Sequence, residues 1–371
     1  MRVLIINLLM LGQLAGAATL RVLNWSDYID EAFLIQFSQQ FNVEVDYVTY
    51  EDVDQFDFQF FLSETQFDVV FPPIDSMPTM IDRGLTIPLN KTWLPNLKQI
   101  DPTQLQRLST YDPGNQFALP YLWGTTGLGV NVDKVKTVLG VDEVPPSWAL
   151  IFDPQYAQKL QACGISWLDS EIEMLPLGLN YSGRDPQSTS RTDFRTAEGL
   201  LSQVSPFVRS FTSETYMEPF RDGQLCVVVG YSGDIYQAIF EAEESNNGQN
   251  LEYIIPKEGT FVWFDPVVIT SKDNTRLAHE FVNALMDPKN IAGITNYVWY
   301  ANAVPASLPF IDDDIKEDPS IYPDKETADK LFGYPVYEDG TLRTMTRRWT
   351  IVKCAAGQEC LVPLEAIPSS Q

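Results

Sequence analysis

Three acidic residues each stand close to an aromatic residue where a strand-like stretch of sequence ends. The pairs are Trp25 with Asp27, Tyr231 with Asp234, and Trp263 with Asp265. Aromatic faces attract cations by about 0.5–2 kcal/mol each, and carboxylates accept charge-assisted hydrogen bonds from ammonium groups. A cleft lined by both groups suits a small organic cation, whereas a neutral ligand would leave the carboxylates unpaired as water leaves.

Buried strands are the elements that must position these pairs. Residues 20–24 lead directly into the first pair, and residues 225–230, the most apolar strand candidate, lead into the second. Residues 260–265 contain the third pair, and the strand is expected to end at Pro266. Because ligands of open α/β sheets bind at the carboxyl ends of the strands, we expect the three pairs to converge there.

The wider pattern alternates strands with helices. Asp30 is placed to cap a helix with its apolar side chains on one face, and residues 43–48 alternate as the next strand. Residues 275–286 form a clear amphipathic helix, and a second structural unit starts near Thr125. Strand–helix repetition of this kind indicates a mainly parallel sheet with helices on both faces.

The chain is strongly acidic, with 50 Asp and Glu against 25 Lys and Arg and a net charge of −25. Such a field repels nucleic acid and anionic lipid and attracts cations, so we expect no nucleic-acid partner. A charge of this size also keeps a protein in solution, and it does not by itself identify a cationic ligand. Aromatic residues make up 12% of the chain, which argues against disorder.

The first 17 residues have the pattern of a secretory signal peptide. Arg2 precedes an apolar run over residues 3–11, and Ala15, Gly16 and Ala17 supply the small residues of a cleavage site. The run is too short to cross about 30 Å of hydrocarbon. We therefore expect cleavage after Ala17 and export of the remaining chain.

Four cysteines are present, and in an exported chain an even number favours disulfides. Three pairings are possible, of which we favour Cys163–Cys226 and Cys354–Cys360, because the second pair is close in sequence and lies in a tail. The first bridge would span roughly 60 residues and stabilise the fold by about 4 kcal/mol in the chain-entropy model. The spacings do not resemble a zinc site, and no metal or other cofactor is expected.

An exported hydrolase is the main alternative class. Asp169, Glu171 and Glu173 could serve as paired carboxylates, although acids in such clusters are more often solvated. The single histidine, His279, lies in the amphipathic helix, where we expect a surface or boundary position. No serine has the G-x-S-x-G context, and neither a phosphate-binding glycine loop nor a dinucleotide fingerprint is present. We therefore expect a protein that is not an enzyme.

Seven segments of the chain resemble the periplasmic putrescine- and spermidine-binding proteins, in the order in which that family carries them. They are residues 24–29, 117–127, 130–135, 163–169, 255–259, 300–303 and 321–323. The resemblance extends from about residue 20 to about residue 350 and is closest to the putrescine-binding branch. It implies a type II periplasmic binding protein fold: two α/β lobes, with mixed sheets flanked by helices, that close on a ligand in the cleft between them.

The resemblance also implies the function and its partners. The protein would bind a polyamine, putrescine or spermidine, in the periplasm and deliver it to an inner-membrane ABC permease, and it would act as a monomer. We place the first lobe at residues 18–124 and 262–308, and the second at residues 125–261 and 309–371.

Position by position, the resemblance assigns ligand contacts to aromatic walls, to amine-binding acids and to polar residues between them. They are Trp25, Ser26, Asp27, Tyr28, Glu173, Tyr231, Asp234, Trp263, Asp265 and Tyr300. Where the family carries serine or tyrosine, this chain has Pro73 and Asp75. Asp75 would add a carboxylate to the cleft or, alternatively, cap a helix.

The exact ligand stays open at this point, since Tyr231 departs from the putrescine binders and Trp263 resembles the spermidine binders. The same fold could also hold another organic cation or act as a polyamine sensor, and fold alone decides neither question.

Overall fold

The computed structural model describes residues 18–51, 53–63 and 66–358 of the chain. The expected signal peptide, residues 1–17, lies outside the described residues. So does Cys360, and with it the expected Cys354–Cys360 bridge.

Ten β-strands form within these described ranges. Their bounds are β1 (Ala18–Trp25), β2 (Val43–Tyr50), β3 (Val69–Val70), β4 (Ala118–Asn131), β5 (Ile165–Trp167), β6 (Ser210–Phe211), β7 (Val227–Tyr231), β8 (Leu251–Ile254), β9 (Val262–Ile269) and β10 (Ala301–Asn302). In β1, Leu20, Val22 and Leu23 are all fully buried, which is typical of a strand that is covered on both faces of the sheet.

Sixteen α-helices lie in the same part of the chain. They are α1 (Glu31–Phe41), α2 (Val53–Phe56), α3 (Met77–Asp82), α4 (Pro102–Leu108), α5 (Val132–Leu139), α6 (Ala149–Phe152), α7 (Pro154–Leu160), α8 (Glu171–Tyr181), α9 (Arg191–Val204), α10 (Met217–Arg221), α11 (Ser232–Glu244), α12 (Thr275–Leu285), α13 (Pro288–Val298), α14 (Asp313–Lys316), α15 (Lys325–Ala328) and α16 (Asp339–Ala355). The predicted cap of α1 is confirmed, because Asp30 accepts a hydrogen bond from the backbone N–H of Ala32 at 2.9 Å.

Shorter helical turns connect these elements. A π-helical turn spans Asp57–Leu62, and 3-10 turns span Ile74–Ser76, Lys91–Trp93, Pro95–Gln99, Ser205–Phe207 and Pro305–Phe310.

The strands form one mixed sheet in the order β2-β1-β3-β9-β4-β7-β5-β6, with β8 and β10 both paired to β4. Strand β1 is parallel to β2 and β3, and β5 is parallel to β6 and β7. Strands β4 and β9 run antiparallel to their neighbours. Helices flank the sheet, so the expected α/β class with mixed sheets is confirmed.

Strand β4 joins two parts of this sheet. Its first part, to Thr125, pairs with β9 and β10, and its second part, from Thr126, pairs with β7 and β8. The partners therefore change within one residue of the expected division between lobes at 124/125. The lobe boundaries themselves stay a prediction, which this change of partners supports.

The expected end of a strand at Pro266 is wrong, because β9 continues to Ile269. Pro266 lies opposite Pro120, next to the stretch where the register of β4 shifts, so the missing N–H groups do not interrupt a regular ladder. Trp263 and Asp265 are consequently near the start of an antiparallel strand. That start lies beyond Val70, at the edge where the parallel strands β1 and β3 end.

Buried side chains form separate cores on the two parts of the sheet. One core packs α5 to α11 and α16 around the second part of β4, β5 and β7. Another packs α1, α12 and α13 against β1, β3 and the end of β9. A smaller cluster on the other face of β1 includes Tyr50, Phe56 and Phe264. The functional side chains lie where these cores meet.

The disulfide between Cys163 and Cys226 is confirmed, with the two Cα atoms 5.5 Å apart. It ties the start of β5 to the start of β7, which are neighbours in the sheet. Among the described residues, no helix combines the length and the apolar character that a membrane crossing requires.

Candidate ligand-binding cleft

Three carboxylates that the sequence analysis selected lie in one aromatic environment, and we call them the acid cluster: Glu173, Asp234 and Asp265. Glu173 lies in the first turn of α8, Asp234 in the first turn of α11, and Asp265 in β9. Residues far apart in the chain thus reach the edge of the sheet where β1, β3 and β7 end.

Glu173 is only 2% exposed and accepts hydrogen bonds at both carboxylate oxygens. Its Oε1 accepts from the hydroxyls of Thr126 at 3.0 Å and Tyr334 at 2.6 Å, and its Oε2 accepts from Tyr231 at 3.0 Å. Burial raises the pKa of Glu173, and these hydroxyls, with Tyr334 foremost, act in the opposite direction. The carboxylate is therefore held in a fixed orientation by neutral donors.

Asp234 is half-buried and accepts one tyrosine hydroxyl at each oxygen. Tyr300 donates to Oδ1 and Tyr216 to Oδ2, both at 2.8 Å. Burial raises the pKa of Asp234, and the two hydroxyls lower it in part. The hydroxyl oxygen of Tyr216 also accepts a hydrogen bond from the backbone N–H of Tyr231 at 3.1 Å, which fixes the end of β7.

Asp265 accepts a hydrogen bond at Oδ2 from the hydroxyl of Tyr28 at 2.7 Å. Burial raises the pKa of Asp265 to about 7; Asp75 contributes to the rise, while Tyr28 and Trp25 counteract it. Asp75 lies in the turn Ile74–Ser76 and is exposed. Protein groups still surround it closely enough that desolvation raises its pKa. Asp75 and Asp265 therefore act on each other as like charges.

Aromatic rings connect the three carboxylates, and we call them the aromatic wall: Tyr28, Tyr231, Trp263 and Tyr300. Tyr300 packs edge-on against Tyr28 at 5.4 Å and against Trp263 at 5.0 Å between ring centroids. Trp263 in turn packs edge-on against Tyr231 at 6.0 Å. Because each tyrosine of the wall also donates its hydroxyl to an acid, the wall fixes the carboxylates as well as enclosing them.

Two glycines make room for this wall. A Cβ at Gly233 would overlap the ring of Tyr300, and a Cβ at Gly124 would overlap the indole of Trp263. Only glycine allows the ring to lie directly on the backbone at these positions. The first turn of α11 and the middle of β4 therefore approach the wall more closely than any other residue would permit.

Residues 25–27 lie at the end of β1, and the structure separates their roles. Trp25 packs against Tyr50 with 4.3 Å between ring centroids and is half-buried beside the acid cluster. Ser26 is half-buried, and its backbone N–H donates to the carbonyl of Tyr50 at 2.9 Å. Asp27 is exposed and has a left-handed backbone conformation with φ of 51°. Its negative charge contributes to a raised pKa of Tyr47. The structure thus brings Trp25 to the cluster and leaves Asp27 at the surface.

The acid cluster lacks a protein counter-charge. Across residues 18–51, 53–63 and 66–358, no lysine, arginine or histidine forms an ion pair with Glu173, Asp234 or Asp265. No grouping of acidic, histidine or cysteine residues suited to a metal ion occurs in these ranges either. Buried acids with hydroxyl donors and without a protein cation are suited to receive positive charge from a ligand.

Two of the residues considered for hydrolysis, Asp169 and Glu171, are bonded to side chains of α16 and not to the partners of Glu173. Asp169 accepts from Trp349 at 2.7 Å and pairs with Lys353 at 2.8 Å, both on α16. Glu171 also turns to α16, where Thr346 donates to it at 2.6 Å.

The expected surface or boundary position of His279 is wrong, because the side chain is fully buried. Its Nε2 accepts from the backbone N–H of Asn90 at 2.9 Å, and its Nδ1 bonds the carbonyl of Thr275 at 2.7 Å. Both ring nitrogens are thus occupied by backbone groups, which explains a polar residue on the apolar face of α12.

Sequence reasoning missed three hydroxyl donors of the site: Thr126, Tyr216 and Tyr334. Thr126 lies within one of the family-like segments, residues 117–127, and that segment is the signal that could have identified it. Tyr216 precedes the short helix α10, and Tyr334 lies in an irregular segment 161 residues away from its partner Glu173. No local pattern distinguishes these two tyrosines from others in the chain.

Comparison with known proteins gives consistent results. Residues 32–323 match the family described as bacterial extracellular solute-binding protein. The putrescine-binding periplasmic protein SpuD of Pseudomonas aeruginosa is 39% identical over 344 residues, covering 92% of this chain and 94% of that protein. The putrescine-binding periplasmic protein PotF of Escherichia coli is 38% identical, covering 91% and 92%.

Comparison with solved structures agrees with the sequence comparisons. The spermidine/putrescine ABC transporter substrate-binding protein PotD of Streptococcus pneumoniae superposes with a TM-score of 0.80 at 26% identity, covering 92% of this chain and all of that one.

Proposed function

The chain belongs to the family of bacterial extracellular solute-binding proteins, and from this premise we propose that it binds a linear polyamine and delivers it to an ABC-type uptake transporter. The family and the relatives named above are solute-binding proteins, one of them the substrate-binding protein of an ABC transporter, and the chain is not an enzyme. Binding is reversible and involves no covalent step. The relatives named above as putrescine-binding support the ligand class.

One observation carries the proposal: the acid cluster lies among aromatic rings, with Glu173 buried and Asp234 and Asp265 half-buried, and it has no ion-pair partner among the described residues. An ammonium group that enters such a site exchanges its hydration shell for charge-assisted hydrogen bonds, and it removes the cost of an uncompensated buried carboxylate. A ligand with several ammonium groups on one flexible chain matches several carboxylates at once. A sugar or an anion offers no such match.

The proposed ligand position follows the order of the side chains. Ammonium groups pair with Asp265, Asp234 and Glu173, and the methylene chain between them lies along Trp25 and the aromatic wall. Asp75 contributes a further carboxylate at the rim, and Ser26 a hydroxyl near the end of β1. Aromatic surfaces bury the apolar methylenes while the ring quadrupoles favour the charged ends.

Closure of two lobes around the ligand is part of the proposal. The expected lobes, residues 18–124 with 262–308 and residues 125–261 with 309–371, each supply part of the site. Tyr300 of the first donates to Asp234 of the second, and Tyr111 donates to the backbone carbonyl of Tyr334 at 2.6 Å. Hydrogen bonds of this kind stabilise a closed form in which the acids are shielded from water.

The setting of the protein follows from its relatives and its charge. We place it in the periplasm as a monomer that docks on an inner-membrane permease, because the relatives described above are periplasmic. A net charge of −25 makes nucleic acid an unsuitable partner.

Calorimetric titration of the ligand-stripped protein tests the proposal. The panel is putrescine, cadaverine, spermidine and spermine, with arginine and maltose as controls. We expect at least one polyamine to bind one-to-one with micromolar affinity or better. We expect no binding of maltose. If every polyamine fails to bind, the cleft serves a different ligand and the proposal is abandoned.

A further inference from the structure

The segment between α15 and α16 is irregular apart from one isolated bridge, and we call its residues 332–337 the strap. Its first residue is fixed to the chain around the start of β9. The backbone N–H of Phe332 donates to the carbonyl of Thr260 at 3.1 Å, and its carbonyl accepts from the N–H of Val262 at 2.9 Å. Two backbone hydrogen bonds at one position give the strap a defined starting point, from which it passes the acid cluster.

Tyr334 is the strap residue that reaches the acid cluster. Its ring stacks on that of Phe261, with 4.3 Å between centroids and an interplanar angle of 11°. Its hydroxyl donates to Oε1 of Glu173 at 2.6 Å, and among the hydroxyls that lower the pKa of Glu173 it acts most strongly. Because the stacked ring leaves the hydroxyl little freedom, Tyr334 helps to fix the direction of the carboxylate.

The backbone of the same residue contacts the expected first lobe. The carbonyl of Tyr334 accepts from the hydroxyl of Tyr111 at 2.6 Å. Tyr111 is buried and packs edge-on against Phe264 with 6.0 Å between ring centroids. The next residue, Asp112, is also buried and accepts from the backbone N–H of Ala118, the first residue of β4, at 3.0 Å. Tyr111 is therefore held firmly within the first lobe where it meets the strap.

A cavity of about 400 Å³ adjoins this contact. Residues 333–336 of the strap line it together with Arg107, Thr110 and Tyr111 of the first lobe. Since there is space between the strap and this part of the first lobe, the two do not form a continuous packed core there. The hydrogen bond between Tyr111 and Tyr334 can therefore break and re-form as the lobes move, without the cost of opening a core.

Two hydrogen bonds between the expected lobes act on different ends of the acid cluster. Tyr300 donates directly to Asp234. Tyr111 donates to a backbone carbonyl, and the residue that carries this carbonyl, Tyr334, in turn donates to Glu173. The effect of Tyr111 on Glu173 consequently passes through Tyr334.

We propose that Tyr334 is a positioning residue that couples the occupancy of Glu173 to the closure of the lobes. In the closed form Tyr111 holds the strap, and the Tyr334 hydroxyl holds the carboxylate in the direction that an ammonium group requires. In the open form the strap loses this attachment, and the carboxylate loses part of its support. Because such coupling is reciprocal, an ammonium group on Glu173 also strengthens the Tyr111 contact. The inference rests on the proposed polyamine function and adds how one end of the ligand favours closure.

Two conservative variants separate the two hydrogen bonds of Tyr334. Tyr111→Phe removes the bond to its carbonyl, whereas Tyr334→Phe removes the bond to Glu173 and keeps the ring that stacks on Phe261. The ligand is the member of the panel of putrescine, cadaverine, spermidine and spermine that binds the parent protein most tightly. Stopped-flow tryptophan fluorescence measures the rates of binding and release.

We expect Tyr111→Phe to release the ligand about three- to tenfold faster, with an association rate within about twofold of the parent, because closure follows the first encounter. The double variant tests whether the two bonds are coupled. If Tyr334 transmits the effect, the affinity of the double variant should lie within about twofold of that of the weaker-binding single variant. A double variant whose loss of affinity equals the product of the two single losses overturns the coupling. A Tyr111→Phe protein with the release rate of the parent also overturns it.

Gln187→Ala is the matched control. Gln187 is exposed, and its side-chain amide donates to the carbonyl of Gly333 at 3.0 Å, so it attaches the strap from within the second lobe. The release rate of this variant should stay within about twofold of the parent. Acceleration equal to that of Tyr111→Phe would mean that any loosening of the strap has the same effect, and it would overturn the role of closure.

Failure of all four polyamines to bind the parent protein is a different result, which overturns the proposed function itself. Far-UV circular dichroism of the ligand-free variants confirms that each is folded.

Discussion

At one end of the acid cluster Glu173 accepts hydrogen bonds from three hydroxyl groups, whereas at the other end Asp265 accepts one, from Tyr28, among the described residues. Glu173 is buried and Asp265 half-buried, and desolvation raises the pKa of each. Around Glu173 the neighbours are neutral donors. The charged group that acts on the pKa of Asp265 is another acid, Asp75.

The difference shows how two buried acids in one site acquire different tasks. Neutral hydroxyls favour the charged form of Glu173 without supplying a positive charge, so its orientation is fixed before a ligand arrives. A like charge beside Asp265 disfavours its charged form, and a cation is needed to reverse that effect. The Asp265 end should therefore depend more strongly on the ligand, and the Glu173 end more strongly on the protein.

Replacement of Asp265 by alanine should have the largest effect. We expect polyamine binding to weaken by about 2–5 kcal/mol, much of it from the ammonium group left unpaired in a site shielded from water. Calorimetry measures the loss, with Asp82→Ala as a control acid on the exposed end of α3. A variant that binds like the parent would remove Asp265 from the site, and an equal or larger loss in Glu173→Ala would reverse the comparison.

Gly233→Ala should affect both ends, because Tyr300 lies between them. The added methyl group overlaps the Tyr300 ring, which contacts Tyr28 on one side and Trp263 on the other. Overpacking of this kind costs about 1–3 kcal/mol, here expected as a lower unfolding free energy together with weaker polyamine binding. Gly199→Ala in α9 is the matched control, since nothing lies within 4 Å of its added Cβ.

For Gly199→Ala we expect unchanged binding and stability equal to the parent or slightly higher. Urea unfolding and calorimetry provide the two measurements. If Gly233→Ala loses neither stability nor affinity, Tyr300 does not require this close approach, and the rigid aromatic wall is refuted.

The pH dependence of binding should come mainly from the Asp265 end. The pKa of Asp265 is about 7 without ligand, and a bound ammonium group lowers it, so below pH 7 a proton must leave as the ligand binds. Affinity should therefore be constant above about pH 8 and fall by up to tenfold for each pH unit below 7. Titration in buffers of different ionisation enthalpy measures the proton released.

Three groups that act on Asp265 enter this prediction: Tyr28, which donates its hydroxyl, the neighbouring Trp25, which lowers the pKa, and Asp75, which is a second acid. Asp265→Asn isolates the effect, since its affinity should be lower but nearly independent of pH between 6 and 8. A parent protein with a flat profile over the same range would show that Asp265 is already ionised before the ligand binds.

The parts of the site that sequence predicts are those with a local pattern. Trp25 and Tyr231 are the last residues of apolar strands, Asp234 lies in the first turn of a helix, and the buried valines of β7 make the position of that strand unambiguous. The local pattern around Asp265 also predicts a strand, but it places the end of that strand at Pro266. Strand β9 continues past Pro266 because this proline lies opposite Pro120, so no ladder hydrogen bond is lost. The expected strand end was therefore wrong, while the role of Asp265 in ligand binding stays a prediction.

The hydroxyl donors could not be predicted in this way. Tyr334 and Glu173 meet across 161 positions, and Tyr300 and Asp234 across 66. Which tyrosine reaches which carboxylate depends on how the two parts of the sheet pack, and on glycines such as Gly233 that admit a ring. His279 is a similar case, because its burial depends on two backbone groups that no spacing in α12 reveals.

Tyr231→Phe should have the smallest effect and tests the Glu173 end directly. The change removes one of three hydroxyl donors and keeps the ring that packs against Trp263, so Glu173 retains Thr126 and Tyr334. The expected loss of binding free energy is about 0.5–1.5 kcal/mol, the contribution of a single hydrogen bond. Tyr28→Phe is the matching change at the other end, where it removes the hydroxyl donated to Asp265.

If the comparison is right, the two phenylalanine variants differ in their pH profiles. Loss of the Tyr28 hydroxyl raises the pKa of Asp265 further, so the decline in affinity should begin at a higher pH than in the parent. Loss of the Tyr231 hydroxyl should lower the affinity almost equally at pH 6 and pH 8. Calorimetry of both variants at those two pH values tests this expectation. The same pH dependence in both variants would mean that Glu173 and Asp265 share one electrostatic environment. The neutral donors around Glu173 and the second acid beside Asp265 would then not give the two carboxylates different tasks.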